Sequence, residues 1–274
     1  MHEERKRFSN LDGIRVFACF GIIFMHVLGN SGYNLTGFIF EKFIPSFTEF
    51  TYLFMIISAF SMCCGYYEKF SQGTIDLDRF YIRRYQRIWP FFALLCTVEF
   101  LIDHNMNALY EYLADISLAF GLYANHHISI VGVGWFLGTV FVFYMLFPFY
   151  TFLLRSKRRA WLMLLMAILL HVLCDLRFTD SIGRANFVYS AMFFAVGGLI
   201  YLYKDRLQGS KLATIISIII AILFAIIYYI VGNIKILNTA SINDYILMVV
   251  FSSVLIAGIS SGGGVFQRNY FRTN

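Results

Sequence analysis

The chain has 274 residues, of which 59% are hydrophobic and only 14% charged, and its net charge is +6. A soluble domain carries about 25% charged residues, so this composition predicts a protein that crosses a membrane several times. Nucleic-acid binding is disfavoured, because the basic residues are scattered between apolar segments rather than collected on one face. The five cysteines lie in or at the ends of apolar segments, without metal-ligand or disulfide spacing, which favours a role as small apolar side chains.

Hydrophobic segments long enough to cross a bilayer recur along the chain. They predict an all-α, polytopic transmembrane helix bundle that forms one integral-membrane domain over residues 1–274. The basic run before the first segment has no small-residue cleavage site after it, so this segment is predicted to stay as an uncleaved helix. About eight spans are expected, at 12–31, 47–67, 88–103, 132–154, 159–176, 186–203, 212–231 and 244–261.

The distribution of Lys and Arg predicts the orientation of these spans. With the N-terminus in the cytoplasm, 18 of the 22 basic residues fall in cytoplasmic segments. A further crossing at 109–123 would put the cluster at 155–159 outside, and this segment is short and carries Glu111 and Asp115. It is therefore predicted to be an interfacial or re-entrant helix on the outer side.

The first span carries ionisable residues on one face. Arg15 and His26 are eleven positions apart, which on an α-helix puts them about 20° apart around the axis and about 16 Å apart along it. Asp12 lies about 40° from the same face. Ionisable groups inside a bilayer are unfavourable by a few kcal/mol unless they face the protein interior or water. His26 is either a packing residue that hydrogen-bonds to another span, or a general base whose neutral imidazole takes a proton from a hydroxyl.

The other histidines do not favour a metal site. His104, His126, His127 and His171 lie at outer ends or in other spans. The adjacent pair His126 and His127 would point about 100° apart on a helix, rather than at one ion. We therefore predict no metal.

A basic cluster, Arg83-Arg84-Tyr85-Gln86-Arg87, precedes Ile88-Trp89-Pro90 at the predicted cytoplasmic end of the third span. Arg84 and Arg87 are one turn apart, on neighbouring parts of one face. The cluster is either a topology anchor, as the positive-inside rule expects, or a phosphate site, because guanidinium groups bind phosphate oxygens in a bidentate manner.

Three further patterns have a structural explanation as well as a functional one. Val133-Gly134-Trp135-Phe136-Leu137-Gly138 opens the fourth span, with Pro148 near its end, as expected for an interfacial Trp and a kink. Arg184-Ala185-Asn186-Phe187 and Gly197-Gly198 are either structural or line a cavity. Gly258 and Gly262 have the spacing of a close helix contact.

Together these motifs resemble membrane-bound acyltransferase family 3, the bacterial O-acyltransferases that modify surface glycans. Leu11-Asp12-Gly13-Ile14-Arg15 leading to His26 is similar to the opening motif of the family, an Arg or Lys followed by a His at this spacing. Arg84-Tyr85-Gln86-Arg87 is similar to its Arg-x-x-Arg motif. Trp135-Phe136-Leu137 through Tyr144 to Pro148 is similar to its Trp-Phe-Leu…Tyr…Pro span.

The resemblance covers the whole chain but not the whole pattern of the family. Family members usually have more spans, and their late Gly-x-x-Ser-Tyr run leading into Tyr-Leu-x-His has no counterpart here. The chain stops at 271–274, about where that segment would begin, so a C-terminal truncation is expected. Ala59 stands where a Gly is usual, and Thr139 and apolar residues stand where some members have a Glu.

The resemblance implies a membrane O-acyltransferase, most often an O-acetyltransferase, in the multi-pass bacterial plasma or inner membrane. A cytoplasmic acyl-CoA, usually acetyl-CoA, would be the donor substrate and would bind near Arg84 and Arg87, with Asp12 and Arg83 as further donor-site residues. The acceptor would be a hydroxyl of an extracytoplasmic glycan or related cell-envelope molecule. His26 would activate this hydroxyl or carry the acyl group, and Arg15 would position the donor or balance charge. No bound cofactor or metal is implied, and membrane lipid is an expected partner.

The residues leave two other functions open. A transporter component would use His26 and Arg15 as a proton or anion path and would make no covalent product, although no interrupted helices recur in matching halves. A truncated family member that is stable but inactive, or that only binds a partner, would insert into the membrane without acyl transfer.

Overall fold

The computed structural model describes residues 8–102, 105–123, 134–178, 182–232 and 240–262. Within these ranges the secondary structure is helical, with no strand. Short helical turns at Ile39–Phe43, Pro45–Glu49 and Ala119–Leu122 connect the longer elements. The α-helices of the described residues are α1 (Ser9–Asn30), α2 (Phe50–Ser71), α3 (Leu77–Ile102), α4 (Met106–Ile116), α5 (Trp135–Leu154), α6 (Lys157–Arg177), α7 (Phe187–Leu207), α8 (Lys211–Val231) and α9 (Ala240–Ser261).

Seven of the predicted spans coincide with helices that are long and apolar enough to cross a membrane. These are α1, α2 together with the helical turns before it, and α5 to α9. The second span is longer than predicted, because the apolar helical region runs from Ile39 to Ser71. The prediction of an all-helical, polytopic membrane protein is thus confirmed, while the cytoplasmic position of the N-terminus stays a prediction.

The eighth predicted span, at 88–103, lies in α3 but is not among these seven helices. α3 begins at Leu77, and its first half carries Asp78 and four arginines. The apolar part of α3 is therefore confined to 88–102, about 22 Å of helix, which is shorter than a hydrocarbon core of about 30 Å. Within the described residues, seven helices thus have the length and composition of a membrane span, and a crossing at 88–103 stays a prediction.

The segment at 109–123 does not form a span of its own. α4 has 11 residues and is therefore about 16 Å long, roughly half of the hydrocarbon core. Asn105 caps its first turn by accepting a hydrogen bond from the Ala108 amide at 2.8 Å. Leu118 then adopts a left-handed conformation with φ of 56°, which ends the helix before the turn at Ala119–Leu122. The prediction that this segment does not cross agrees with its length.

The described residues within 1–57 and 200–274 form one compact unit, which we call unit 1. Here α1 packs against α9 and the turn at Pro45–Glu49, and α8 packs along α9. Polar contacts join the last pair, since the hydroxyls of Thr214 and Ser260 lie 2.8 Å apart and the Gly209 amide donates to the Ser260 carbonyl at 3.0 Å.

The described residues within 58–199 form the other compact unit, unit 2. Its interior is aromatic and lies around α5, where Phe143 stacks on Phe194 with ring centroids 4.4 Å apart. The Tyr150 hydroxyl donates to the Phe194 carbonyl at 2.6 Å and lies directly against Gly198. These contacts explain Gly198 as a packing residue. The prediction of one domain over residues 1–274 stays a prediction.

Candidate functional site

The ionisable face of α1 forms as the sequence predicted. α1 runs without interruption from Ser9 to Asn30, so Arg15 and His26 share a face and lie about 16 Å apart along the axis. Arg15 Nη1 donates to Asp12 Oδ1 at 2.9 Å, and the two side chains are 35% and 43% exposed. An ion pair with this exposure contributes at most about 1 kcal/mol. Its main effect is therefore to orient the Arg15 guanidinium.

Small residues hold α1 in unit 1. A Cβ at Gly21 would overlap the ring of Phe50, and a Cβ at Gly258 of α9 would lie 2.7 Å from Ile14 Cδ1. The close contact predicted at Gly258 is thus confirmed. Ala18 is fully buried on the same side of α1. The residues of α1 that contact its neighbours, Ile14, Ala18 and Gly21, form a narrow strip along the helix. The face that carries Arg15 and His26 lies beside this strip and is not covered by it.

His26 is half-buried near the C-terminal end of α1. Its backbone carbonyl accepts a hydrogen bond from Asn30 Nδ2 at 2.8 Å. Within the part of the chain that the structure describes, the imidazole itself makes no hydrogen bond or ion pair. The alternative of a packing histidine bonded to a neighbouring span therefore has no support among these residues, and both ring nitrogens are available to a substrate.

Arg84 is the one arginine of the basic cluster that is withdrawn from the surface; Arg83 and Arg87 are exposed. Arg84 Nη2 donates to the Tyr66 hydroxyl at 2.6 Å, and Nη1 lies 3.7 Å from the sulfur of Met62. We call the aromatic rings around this guanidinium the Arg84 cage. Its members are Tyr66 at 5.1 Å, Tyr144 at 5.6 Å and Phe80 at 5.9 Å from Cζ to the ring centroids.

The Arg84 guanidinium has no carboxylate partner among the described residues. Its Nε is buried and makes no hydrogen bond there. Aromatic faces contribute about 0.5–2 kcal/mol to a nearby cation, but they do not neutralise it. Among the described residues, the cage therefore leaves the positive charge without an opposite charge and the buried Nε–H without a hydrogen-bond acceptor.

Sequence reasoning did not identify the residues of the Arg84 cage as functional. Tyr144 belongs to the Trp-Phe-Leu…Tyr…Pro motif, and this motif is the sequence signal that could have identified Tyr144 as a site residue. Tyr66 had no such signal, because which residue of α2 meets α3 depends on how the two helices pack. Both residues belong to unit 2, as does Arg84.

Other patterns singled out in the sequence have structural explanations. Arg184 stacks on Trp135, with Cζ 4.9 Å from the ring. Asn186 donates to the Tyr123 carbonyl at 3.1 Å and accepts from the Val188 amide at 2.8 Å. His171 is fully buried and its Nδ1 donates to a backbone carbonyl at 2.9 Å.

No group of three or more His, Cys, Asp or Glu residues within the described ranges is arranged to hold a metal ion. His104, His126 and His127 lie outside the described residues. All five cysteines are free, and Cys19 and Cys64 are exposed rather than buried.

The predicted site residues therefore form two groups. Asp12, Arg15 and His26 lie on α1 in unit 1, whereas Arg83, Arg84 and Arg87 lie on α3 in unit 2. Each group is a local arrangement of one helix, and their assignment to catalysis and donor binding stays a prediction.

The seven apolar helices define a multi-pass membrane protein. A family model described as an acyltransferase domain matches residues 8–268, almost the whole chain. The chain therefore belongs to acyltransferase family 3, as its motifs predicted. Searches of curated proteins and of solved structures give no significant match.

Proposed function

We propose that this membrane acyltransferase moves an acyl group, most often acetyl, from cytoplasmic acyl-CoA to a hydroxyl of an extracytoplasmic glycan or related cell-envelope acceptor, in the bacterial plasma or inner membrane. The observation that carries the donor assignment is the Arg84 cage. A half-buried guanidinium without a carboxylate partner among the described residues suits a phosphate group, which accepts charge-assisted hydrogen bonds from arginine. Acyl-CoA carries such phosphates at the end remote from its thioester.

In the proposed reaction, the neutral imidazole of His26 accepts the proton of the acceptor hydroxyl while the oxygen attacks the thioester carbonyl. The carbon–sulfur bond breaks, and the CoA thiolate takes the proton from the imidazolium. The products are an ester and a thiol, so atoms and charges balance without an oxidant or a metal. A general base of this kind typically contributes a factor of 10²–10⁴ to the rate.

The state of His26 supports this role. The side chain is half-buried, and its imidazole has no partner among the described residues, so no internal hydrogen bond has to break before a hydroxyl binds. Arg15 lies on the same face of α1 and is oriented by Asp12. In the proposal, Arg15 offsets negative charge that develops on the donor.

Acyl transfer in inverted membrane vesicles tests the proposal. Vesicles that contain the wild-type chain, His26→Ala or Val27→Ala at equal expression are incubated with radiolabelled acetyl-CoA. Val27 is the matched control, because it is adjacent to His26 and 61% exposed. We expect alkali-labile label on surface glycan with the wild type and with Val27→Ala, and a loss of at least about 10²-fold with His26→Ala.

Three other outcomes would contradict the proposal. Label that persists without His26 would show that another group is the base. Label that accumulates inside the vesicles without forming an ester would indicate transport. No product from the wild type, while another family member is active in the same assay, would show that these 274 residues do not catalyse the reaction alone.

A further inference from the structure

We propose that unit 2 binds an anionic phospholipid in an apolar groove between α5, α6 and α7. The groove has a volume of about 500 Å³ and is lined almost entirely by apolar side chains of these three helices. Arg159, near the beginning of α6, is the charged residue among those that line it. An apolar groove with a cation at one end matches a molecule that has a hydrocarbon chain and an anionic headgroup. This site is separate from the donor and base residues, and the inference does not rest on the proposed function.

The groove has the length of one membrane leaflet. On α6 it is lined by Arg159, Leu162, Met166 and Leu170, whose spacing of three and four residues puts them on one face. The distance from Arg159 to Leu170 along the helix is about 16 Å. A hydrocarbon core of about 30 Å has leaflets of about 15 Å, so a lipid chain that begins at Arg159 ends near Leu170.

The walls of the groove offer hydrocarbon rather than hydrogen bonds. Tyr150 lines it, but its hydroxyl is used by the Phe194 carbonyl at 2.6 Å. The groove is also open on the side where lipids lie, because Phe149 is 72% and Leu162 is 56% exposed. These features favour a membrane phospholipid over a ligand that enters from water.

The charged end of the groove holds two arginines at one aromatic ring. The Cζ atoms of Arg159 and Arg155 lie 4.7 and 5.9 Å from the ring centroid of Phe152. Neither arginine forms an ion pair with a described residue. Guanidinium groups bind phosphate oxygens in a bidentate manner, so a phosphodiester next to Phe152 would satisfy both. The positive-inside prediction puts this end at the cytoplasmic leaflet, where anionic lipids attract basic residues.

Native mass spectrometry of the full chain tests this site. Purified protein is titrated with phosphatidylglycerol or with phosphatidylcholine of the same acyl chains, and the bound lipids are counted. Arg159→Gln should lower the preference for phosphatidylglycerol about fivefold. Arg158→Gln is the matched control, because Arg158 is adjacent and exposed but does not line the groove. Its preference should stay close to that of the wild type.

A second variant tests the hydrocarbon part of the site. Ala191 lines the groove on α7, and Ala191→Phe should fill it and weaken phosphatidylglycerol binding at least as much as Arg159→Gln does. Circular dichroism verifies that each variant is folded.

Four outcomes would overturn the inference. Equal binding of both lipids by the wild type, or an unchanged preference in Arg159→Gln, would mean ordinary boundary lipid. An equal loss in Arg158→Gln would mean a diffuse basic surface. Normal phosphatidylglycerol binding by Ala191→Phe would put the headgroup on the surface without a chain in the groove.

Discussion

The Arg84 cage makes a prediction that separates donor binding from catalysis. Tyr66→Phe removes the hydroxyl that accepts a 2.6 Å hydrogen bond from Arg84 Nη2. It keeps the ring, whose centroid lies 5.1 Å from Arg84 Cζ. The substitution therefore tests the orientation of the guanidinium while the aromatic contact stays in place.

The size of the effect follows from these contacts. A hydrogen bond to a charged group contributes about 1.5–3 kcal/mol, and about 1.4 kcal/mol corresponds to a factor of ten in affinity. If Arg84 holds the phosphates of acyl-CoA and its orientation depends on this hydrogen bond, loss of the lower value raises KM for the donor by up to about tenfold. We expect kcat to stay within a factor of about two, because an interaction that is equal in the ground state and the transition state changes KM alone.

The assay is initial-rate acyl transfer in inverted vesicles over a range of acetyl-CoA concentrations. Tyr67→Phe is the matched control, because Tyr67 is the next residue on α2 and its hydroxyl donates to the Leu154 carbonyl at 3.4 Å instead. Arg84→Ala removes the guanidinium altogether and should therefore raise KM for acetyl-CoA more than Tyr66→Phe does.

Two results would refute this reasoning. An unchanged KM in both Tyr66→Phe and Arg84→Ala would leave Arg84 as a topology anchor. A lower kcat with an unchanged KM would place the Arg84 guanidinium at the reacting carbonyl rather than at the donor phosphates.

Substitutions at two closely packed glycines should lower the stability of the protein. Gly258→Leu should destabilise unit 1 by about 1–3 kcal/mol, because a Cβ there would already lie 2.7 Å from Ile14 Cδ1. Gly198→Ala should destabilise unit 2 by a similar amount, because the added methyl would overlap the Tyr150 hydroxyl. Thermal unfolding in detergent measures both. The control is Gly65, which has nothing within 4 Å of a built Cβ; an equal loss in Gly65→Leu or Gly65→Ala would contradict the packing explanation.

The membrane spans were predictable because their cause is local. A long run of apolar side chains is unfavourable in water, and inside lipid its backbone must form a helix so that the N–H and C=O groups are hydrogen-bonded. Composition alone therefore located seven of the spans that the structure contains. The span predicted at 88–103 lies in α3, and its crossing stays a prediction. There the helix extends back to Leu77 through a cationic half, and a hydropathy pattern marks where apolar residues begin rather than where the helix begins.

The face shared by Arg15 and His26 was predictable for a similar reason, since it depends only on the periodicity of one helix. The cage around Arg84 was not predictable from the sequence. Tyr66 and Tyr144 come from α2 and α5, and their rings reach Arg84 only through the packing of those helices against α3. No spacing in the sequence encodes such a contact.

The structure distinguishes between members of the basic cluster on α3, for which the sequence left two interpretations open. The sequence offered a topology anchor or a phosphate site for the cluster as a whole. Arg83 and Arg87 are exposed, as an anchor requires, whereas Arg84 is half-buried among aromatic rings with an unbonded Nε. Partial burial of a cation is unfavourable unless a partner compensates it, and an anchor gains nothing from it. We therefore infer that the two interpretations apply to different members of the cluster, with Arg84 as the member that binds an anion.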